Sequence, residues 1–558
     1  MTAPAPRMRW WGWGEDGRDA PLSPGAQALL AAELGTLPSA RRDPVALEDV
    51  RLSEPALPAG AHERLVELVG DEHVRDDRLA RVSHAAGRGY HDLVRLRAGD
   101  ASGAPDAVVY PADASEAAAV LRACAELGVA VVPWGGGTSV VGGVEPLRGS
   151  FPAVIALDLA RMDRLLAVDP VSLTVTVQPG IAGPALEEAL AEHALTLGHF
   201  PQSFEFSTVG GWVATRSAGQ ASTGYGRIDA LVVALRVATP SGELAVRPVP
   251  ASAAGPSLRE LLVGSEGTLG VIVEVVLRVR ARPTVRRYEA FSLPTYAAGV
   301  DAFRALAQAG EAPDVMRLSD PVETRVSLAL ADGGFATRAL GAYLRARGHR
   351  DGCLTIVGWG VTSEAELRRR RTAAARGLRA HGAVALGTPV GHAWEHGRFH
   401  APYLRDELLA LGVMVETLET ATTWDRLLEL HEAVAAALDG ALRGRGTPPV
   451  VWCHVSHVYR AGASLYFTFV ARQQAGAELA QWHAAKRAAC EAILAHGGTL
   501  THHHAVGRDH APWLPAEVGE LGIELLRGAK ATLDPAGIMN PGKLIDPAGT
   551  DPARPAAG

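Results

Sequence analysis

The stretch Pro133-Trp134-Gly135-Gly136-Gly137-Thr138-Ser139-Val140-Val141-Gly142-Gly143 constrains this chain more than any other. Its five glycines let the backbone enter the positive-φ region and let its N–H groups face a ligand with no Cβ in the way. A pyrophosphate suits such a loop. Upstream, residues 107–110 read as a buried strand, 115–127 as a helix with Val120, Leu121, Cys124 and Leu127 on one face, and 129–132 as a second strand. The glycines therefore follow a strand. Neither G-x-G-x-x-G nor Gly-Lys-Ser/Thr opens a helix here, which excludes a Rossmann fingerprint and a P-loop. Residues 153–159 are again β-like, so loop amides rather than a helix N-terminus are expected to hold the anion. A glycine-rich hairpin with no ligand is the bland alternative.

A chain of 558 residues implies two or three domains, and 47% hydrophobic with 21% charged residues implies a soluble globular protein. The net charge of −7 carries no basic stripe, so no nucleic-acid partner is expected. Cys124, Cys353, Cys453 and Cys490 lack metal-type spacing and are expected as buried free thiols in a reducing compartment. The start has no apolar signal core, and the last residues lack a peroxisomal tripeptide.

In order, residues 1–104 read as a mostly helical N-terminal extension with helices at 26–34 and 61–69. It opens with Trp10-Trp11-Gly12-Trp13-Gly14, aromatic surface that needs covering and is expected to dock the extension onto the body. Residues 105–283 form the segment around the glycine loop, with strands at 173–178 and 231–239 and a helix at 185–193. Residues 284–500 shift to Ala-, Arg- and Leu-rich helices, among them 363–381 and 475–496, with strands at 354–359, 450–457 and 465–470, an α+β pattern. Residues 501–546 form a C-terminal return, and 547–558, rich in Pro, Ala and Gly, are expected to be a disordered tail.

Thr501-His502-His503-His504-Ala505-Val506-Gly507 is the sharpest chemical feature. If extended, it puts His502 and His504 on one face and His503 on the other. Three readings stand: proton transfer or phosphate binding, metal ligation, or a polar loop. Strand alternation sends Leu465, Phe467 and Phe469 to the core and Tyr466 and Thr468 to the opposite face. His454 and His457 would face opposite sides of a regular strand and so make poor partners for one metal ion. Arg317 and Arg405 could each clamp a phosphate or carboxylate.

The glycine loop, Ser207-Thr208-Val209-Gly210-Gly211-Trp212 and Gly264-Ser265-Glu266-Gly267-Thr268-Leu269-Gly270 occur in the order that resembles the FAD-binding domain of the vanillyl-alcohol oxidase superfamily. The resemblance implies an α+β fold: a two-subdomain FAD cradle with an α+β cap. It also implies FAD held by Pro133, Trp134, Gly135, Gly136, Gly137, Thr138 and Ser139; by Gln202, Ser203, Ser207, Thr208, Gly210, Gly211, Thr215, Ser217 and Gly219; and by Glu266, Gly267, Gly270, Val271 and Ile272. No histidine lies between Pro133 and Gly143, so the flavin is expected to be non-covalent.

The Trp-rich start, Phe204 to Trp212, Arg317 in its setting, Ala461 to Phe467 and the histidine triplet more narrowly resemble the alkyldihydroxyacetonephosphate synthase family. That resemblance implies a transferase without net redox, in which flavin N5 attacks the ketose carbon, the acyl group of acyl-dihydroxyacetone phosphate leaves and a fatty alcohol replaces it. Tyr466, His502, His503 and His504 would be its proton-handling residues, Arg317 and Arg405 would bind substrate or support the site, and no metal is expected. A cytoplasmic homodimer with peripheral membrane contact completes the expectation. Gln202 stands where the family carries an acidic residue, Thr468 replaces a tyrosine and Ala505 a glycine. Residues 539–544 are more like FAD-dependent D-2-hydroxyacid dehydrogenases, which remain the alternative; a flavin protein without activity is a third.

Overall fold

The computed structural model describes residues 8–18, 20–35, 41–330 and 335–545. The tail expected at 547–558 lies outside the described residues.

Three sheets organise the chain. In the first, Val74–Arg75, Ala107–Val109, Ala153–Asp158 and Val129–Trp134 lie side by side in that order, the last three mutually parallel. Helix Ala114–Leu127 starts where the Asp113 carboxylate accepts from the N–H groups of Ser115 and Glu116, and ends at Gly128 with φ 67°. Its Val120, Leu121 and Cys124 bury against Val129, Val131 and Ile155, as the 3.6-residue period requires. The glycine loop leaves the end of Val129–Trp134. A second, antiparallel sheet orders Leu165–Asp169, Thr174–Val177, Val271–Arg278, Val232–Thr239 and Gly242–Ala245.

The third sheet is antiparallel with seven strands, in the order Val384–Gly387, Val285–Leu293, Cys353–Val361, Val315–Ser319, Val450–Val458, Gly462–Arg472 and Val413–Thr423. Helices Tyr296–Ala309, Glu364–Ala380, Leu427–Arg443 and Glu478–Ala495 contribute Phe303, Leu378, Leu430 and Trp482 to the core beside Phe291, Met316, Leu318, Leu418, Phe467 and Phe469 of the strands. By alternation Arg317, Glu419 and Tyr466 stand on the other face. Sequence reading found three of these strands and missed Val384–Gly387, Val285–Leu293, Val315–Ser319 and Val413–Thr423. The last carries polar residues on both faces, Thr417 and Glu419 on one and Glu416 and Thr420 on the other, and so lacks period-2 hydrophobicity.

Two tethers close the molecule. The C-terminal return adds to the first sheet: Val131 N–H donates to Ile538 O and Asn540 N–H to Val131 O, both at 2.8 Å. The Trp-rich start docks on the body, where Trp13 is 5% exposed and its backbone N–H donates to Asp406 Oδ2 at 2.9 Å. Arg88, fully buried, holds the carbonyls of Gly12 and Arg9 at 3.0 and 3.1 Å. Cys124, Cys353, Cys453 and Cys490 are buried free thiols, and among the described residues no helix is long and apolar enough to cross a membrane. We expect Trp13→Ala to destabilise the protein by about 3–5 kcal/mol, read by calorimetry as a lowered first transition; an unchanged scan would dismiss the docking role.

Candidate functional site

A cavity lies under the glycine loop. Pro133, Trp134, Gly135, Ser139, Thr208, Gly210, Gly211, Thr215, Glu266, Gly267, Gly270, Val271 and Ile272 line it, together with Gly143, Val144, Leu159, Ala214 and Ala505, which were not among the expected cofactor contacts. Thr208 caps helix Val209–Thr215 through the Gly211 N–H. The small residues are required by space. A Cβ on Gly135 would lie 2.4 Å from Thr208 Oγ1, and one on Gly267, at φ +74°, would lie 2.8 Å from Pro133 Cγ. No Lys or Arg lines the cavity, so an anion there meets neutral amides and hydroxyls, the donor set a dinucleotide pyrophosphate accepts.

Other expected cofactor residues build the frame rather than the wall. Gly136 packs where a Cβ would sit 1.9 Å from Phe206 O, and Gly137 where one would sit 2.6 Å from the Trp134 ring. Ser207 Oγ accepts from Trp212 Nε1 at 2.7 Å, Ser217 Oγ pairs with His199 Nε2 at 3.0 Å, and Gly219 N–H donates to Ser222 Oγ at 2.7 Å. The Ser203 carbonyl accepts from the Phe206 and Ser207 N–H groups. Gln202 turns away to donate to Arg398 O at 2.6 Å, and Thr138 does not line the cavity. Glu266 lines the cavity but spends its carboxylate on the Val506 and Gly507 N–H groups at 2.8 and 2.7 Å. Burial raises its pKa to about 7 against those bonds.

The histidine triplet is not extended. Its backbone bends around Glu419, whose carboxylate accepts from the N–H groups of His502, His503 and His504 at 2.7, 2.9 and 2.7 Å and from Thr501 Oγ1 at 2.7 Å. All three imidazoles therefore cluster, instead of splitting between two faces. His502 Nδ1 lies 2.9 Å from His503 Nδ1, and His502 Nε2 lies 2.7 Å from the Tyr459 hydroxyl. The Tyr466 ring stacks on His503 with centroids 6.0 Å apart and meets His504 edge-on at 5.5 Å. Ala505, next in the chain, is part of the cavity wall and sits at φ 77°. Its carbonyl accepts from His510 Nδ1, whose Nε2 lies 2.5 Å from Lys486 Nζ.

A second correction concerns His454 and His457. The register shifts between Val455 and Val458, and this bulge breaks the alternation that would part them. His457 stacks on His502 at 5.2 Å while His454 stacks on Tyr466 at 4.9 Å. His457, His502 and His503 thus offer nitrogens within 4.8 Å of one another. Arg317 donates to His454 Nε2 at 3.0 Å and to Glu323 Oε1 at 2.7 Å, and His454 Nδ1 meets the same oxygen at 2.9 Å. Arg405 lies in the interior, 7% exposed, held by Arg88 O at 3.0 Å and Glu416 Oε1 at 3.3 Å. Both of these contacts are to protein groups, the carbonyl of Arg88 and the carboxylate of Glu416. Glu419 and Tyr459 were missed because a lone glutamate on a strand, or a tyrosine just past the end of one, carries no local signal.

Burial lowers the pKa of His502 and of His504 to about 3, His503 adding to the effect at His502 and Glu419 opposing it at both. Burial would raise the Glu419 carboxyl, but His503, 3.3 Å away, and its two neighbours hold it well below the ordinary range. Burial raises the Tyr466 hydroxyl. For a histidine whose folded pKa is depressed, the unfolded chain takes up the proton first, so stability present above pH ~6.5 is lost as pH falls toward the folded value. The stability advantage of wild type over His504→Gln should shrink by roughly 2 kcal/mol between pH 7.5 and 5, followed by thermal unfolding of both. A constant difference would mean that His504 is not held neutral.

Comparison with known proteins places these features. The family model "FAD binding domain" matches residues 105–246 and "FAD linked oxidases, C-terminal domain" matches 282–544. The alkyldihydroxyacetonephosphate synthase of Dictyostelium discoideum is 35% identical over 85% of this chain and 79% of its own. A solved alkyldihydroxyacetonephosphate synthase superposes with a TM-score of 0.84 at 30% identity, covering 96% of this chain and 99% of that one. p-Cresol methylhydroxylase, 15% identical over 88% of this chain and 98% of its own with a TM-score of 0.65, shares the fold, the vanillyl-alcohol oxidase type. FAD is the cofactor these matches imply, and the cavity fits it. The chain belongs to the alkyldihydroxyacetonephosphate synthase family.

Proposed function

We propose that this protein exchanges the acyl group of acyl-dihydroxyacetone phosphate for a fatty alcohol, with no net redox change. The observation that carries the reading is the junction at Ala505: the residue after the histidine triplet lines the FAD cavity, and within that triplet His503 stacks on Tyr466. Proton-transferring groups thereby flank the place where a flavin ring would lie. When bound there, non-covalently, FAD supplies the reactive ring nitrogen on which the exchange depends. Pro133, Trp134, Gly135 and Ser139, Thr208, Gly210, Gly211 and Thr215, and Glu266, Gly267, Gly270, Val271 and Ile272 would hold it.

The chain's own groups do the proton work. The Nδ1–Nδ1 contact requires one of His502 and His503 to donate and the other to accept, so the tautomer of one ring sets that of the other. With its Nδ1 engaged, His503 offers Nε2 to take the hydroxyl proton of the alcohol. Tyr466, kept protonated by burial, is a donor toward the departing carboxylate. Arg317 can turn its outer N–H groups to the phosphate while Glu323 holds the rest of the guanidinium. The division into extension, FAD domain, cap and return, a homodimer, a cytoplasmic location and peripheral contact with the membrane that holds both lipids belong to the same proposal.

The test is an anaerobic titration of the yellow protein. We expect palmitoyl-dihydroxyacetone phosphate to perturb the flavin band and hexadecanol to reverse the change with release of palmitate. Bleaching by D-lactate or D-2-hydroxyglutarate would instead mean hydride transfer and would sink the transferase reading. His503→Ala and Tyr466→Phe should each lower turnover by at least about a hundredfold with the flavin retained; wild-type rates in both would refute the site assignment.

A further inference from the structure

The proposed exchange does not balance without a proton leaving. An ester and an alcohol become an ether, a carboxylate anion and one proton, the alcohol's, at any pH well above the fatty acid's pKa. That proton starts among largely enclosed rings: His457 and His502 are 5% and 7% exposed, and the His503 side chain 13%. Tyr459, by contrast, is 38% exposed while its hydroxyl lies 2.7 Å from His502 Nε2.

Resting on the transferase reading, we propose that Tyr459 is the proton exit of this site, passing to bulk water the proton that His503 collects and His502 relays. The contacts are continuous: His503 Nδ1 to His502 Nδ1 at 2.9 Å, then His502 Nε2 to Tyr459 O at 2.7 Å. A proton arriving at His503 Nε2 lets Nδ1–H pass to His502 Nδ1. His502 gives its Nε2–H to the Tyr459 oxygen, and Tyr459 gives its own hydrogen to water. Each ring and the hydroxyl gains one proton and loses one, both rings end neutral in the other tautomer, and tautomer exchange resets them. A hydroxyl can both accept and donate, which the Arg227 guanidinium beside it cannot. Arg227 instead fixes the path, donating to His502 O at 2.8 Å and pairing with Asp229. Trp424 Nε1 donates to the Tyr459 carbonyl at 3.2 Å and pins the exit residue from outside. The charged groups facing the hydroxyl are Arg227, Asp229 and Glu419.

The experiment uses the FAD-loaded full chain with Tyr459→Phe, which keeps the ring and removes the hydroxyl. We expect kcat to fall on the order of tenfold with KM and flavin spectrum unchanged. Added imidazole buffer at fixed pH should restore kcat saturably, and dye-detected proton release in weak buffer should lag behind wild type. A wild-type kcat, or a loss that imidazole does not restore, overturns the exit, since a merely structural tyrosine is not replaced by a buffer. If wild type itself makes no ether from the acyl ketose phosphate, the transferase reading fails, a result separate from the Tyr459→Phe comparison.

Discussion

The buried carboxylate of Glu419 is the interaction on which the site depends. It sits at 2% exposure and accepts from three consecutive backbone N–H groups and one hydroxyl. A carboxylate withdrawn from water needs such compensation, and a segment of three histidines needs a reason to bend. Each supplies the other's requirement. The bend draws three imidazoles into one cluster, and the strand that carries Glu419 pairs it with Tyr466 in register. One acidic residue thus fixes where the rings stand relative to the tyrosine.

A second carboxylate joins that cluster to the cavity. Glu266 leaves the loop that forms part of the cavity wall and holds the Val506 and Gly507 N–H groups, two residues beyond the triplet. Asn540, from the C-terminal return, donates to the Glu266 carbonyl at 2.6 Å. The FAD segment, the triplet and the end of the chain are therefore bonded at one point. The Lys486–His510 pair beneath the Ala505 carbonyl steadies the same stretch from the cap side. Such mutual bracing suits chemistry that needs fixed proton positions.

The electrostatic setting agrees with a reaction that moves protons rather than net charge. No Lys or Arg reaches the wall of the cavity, and two of the three triplet imidazoles are held neutral by burial. The cations around it are matched as well, Arg317 by Glu323 and Arg227 by Asp229. Neutral imidazoles retain both a donor and an acceptor, which a relay requires and an imidazolium lacks.

What the sequence by itself determined was local. The glycine loop, the Ser-Thr-Val-Gly-Gly turn into a helix and the alternation that turns Tyr466 away from the core are all legible because glycine freedom, capping and strand period act within a few residues. The family resemblance was legible for the same reason, since its motifs are contiguous. Tertiary structure decided the rest. Glu419 lies more than eighty positions from the histidines it gathers, and nothing near it in the chain marks it. A register shift, invisible in a strand pattern, brought His457 to the triplet. Arg405 looked like an anion clamp until burial gave it Glu416 and the Arg88 carbonyl, and Gln202 turned out to serve the Arg398 carbonyl. Residue type and spacing specify which groups can do chemistry; which partner each one meets depends on contacts between distant segments, and those exist only once the chain has folded.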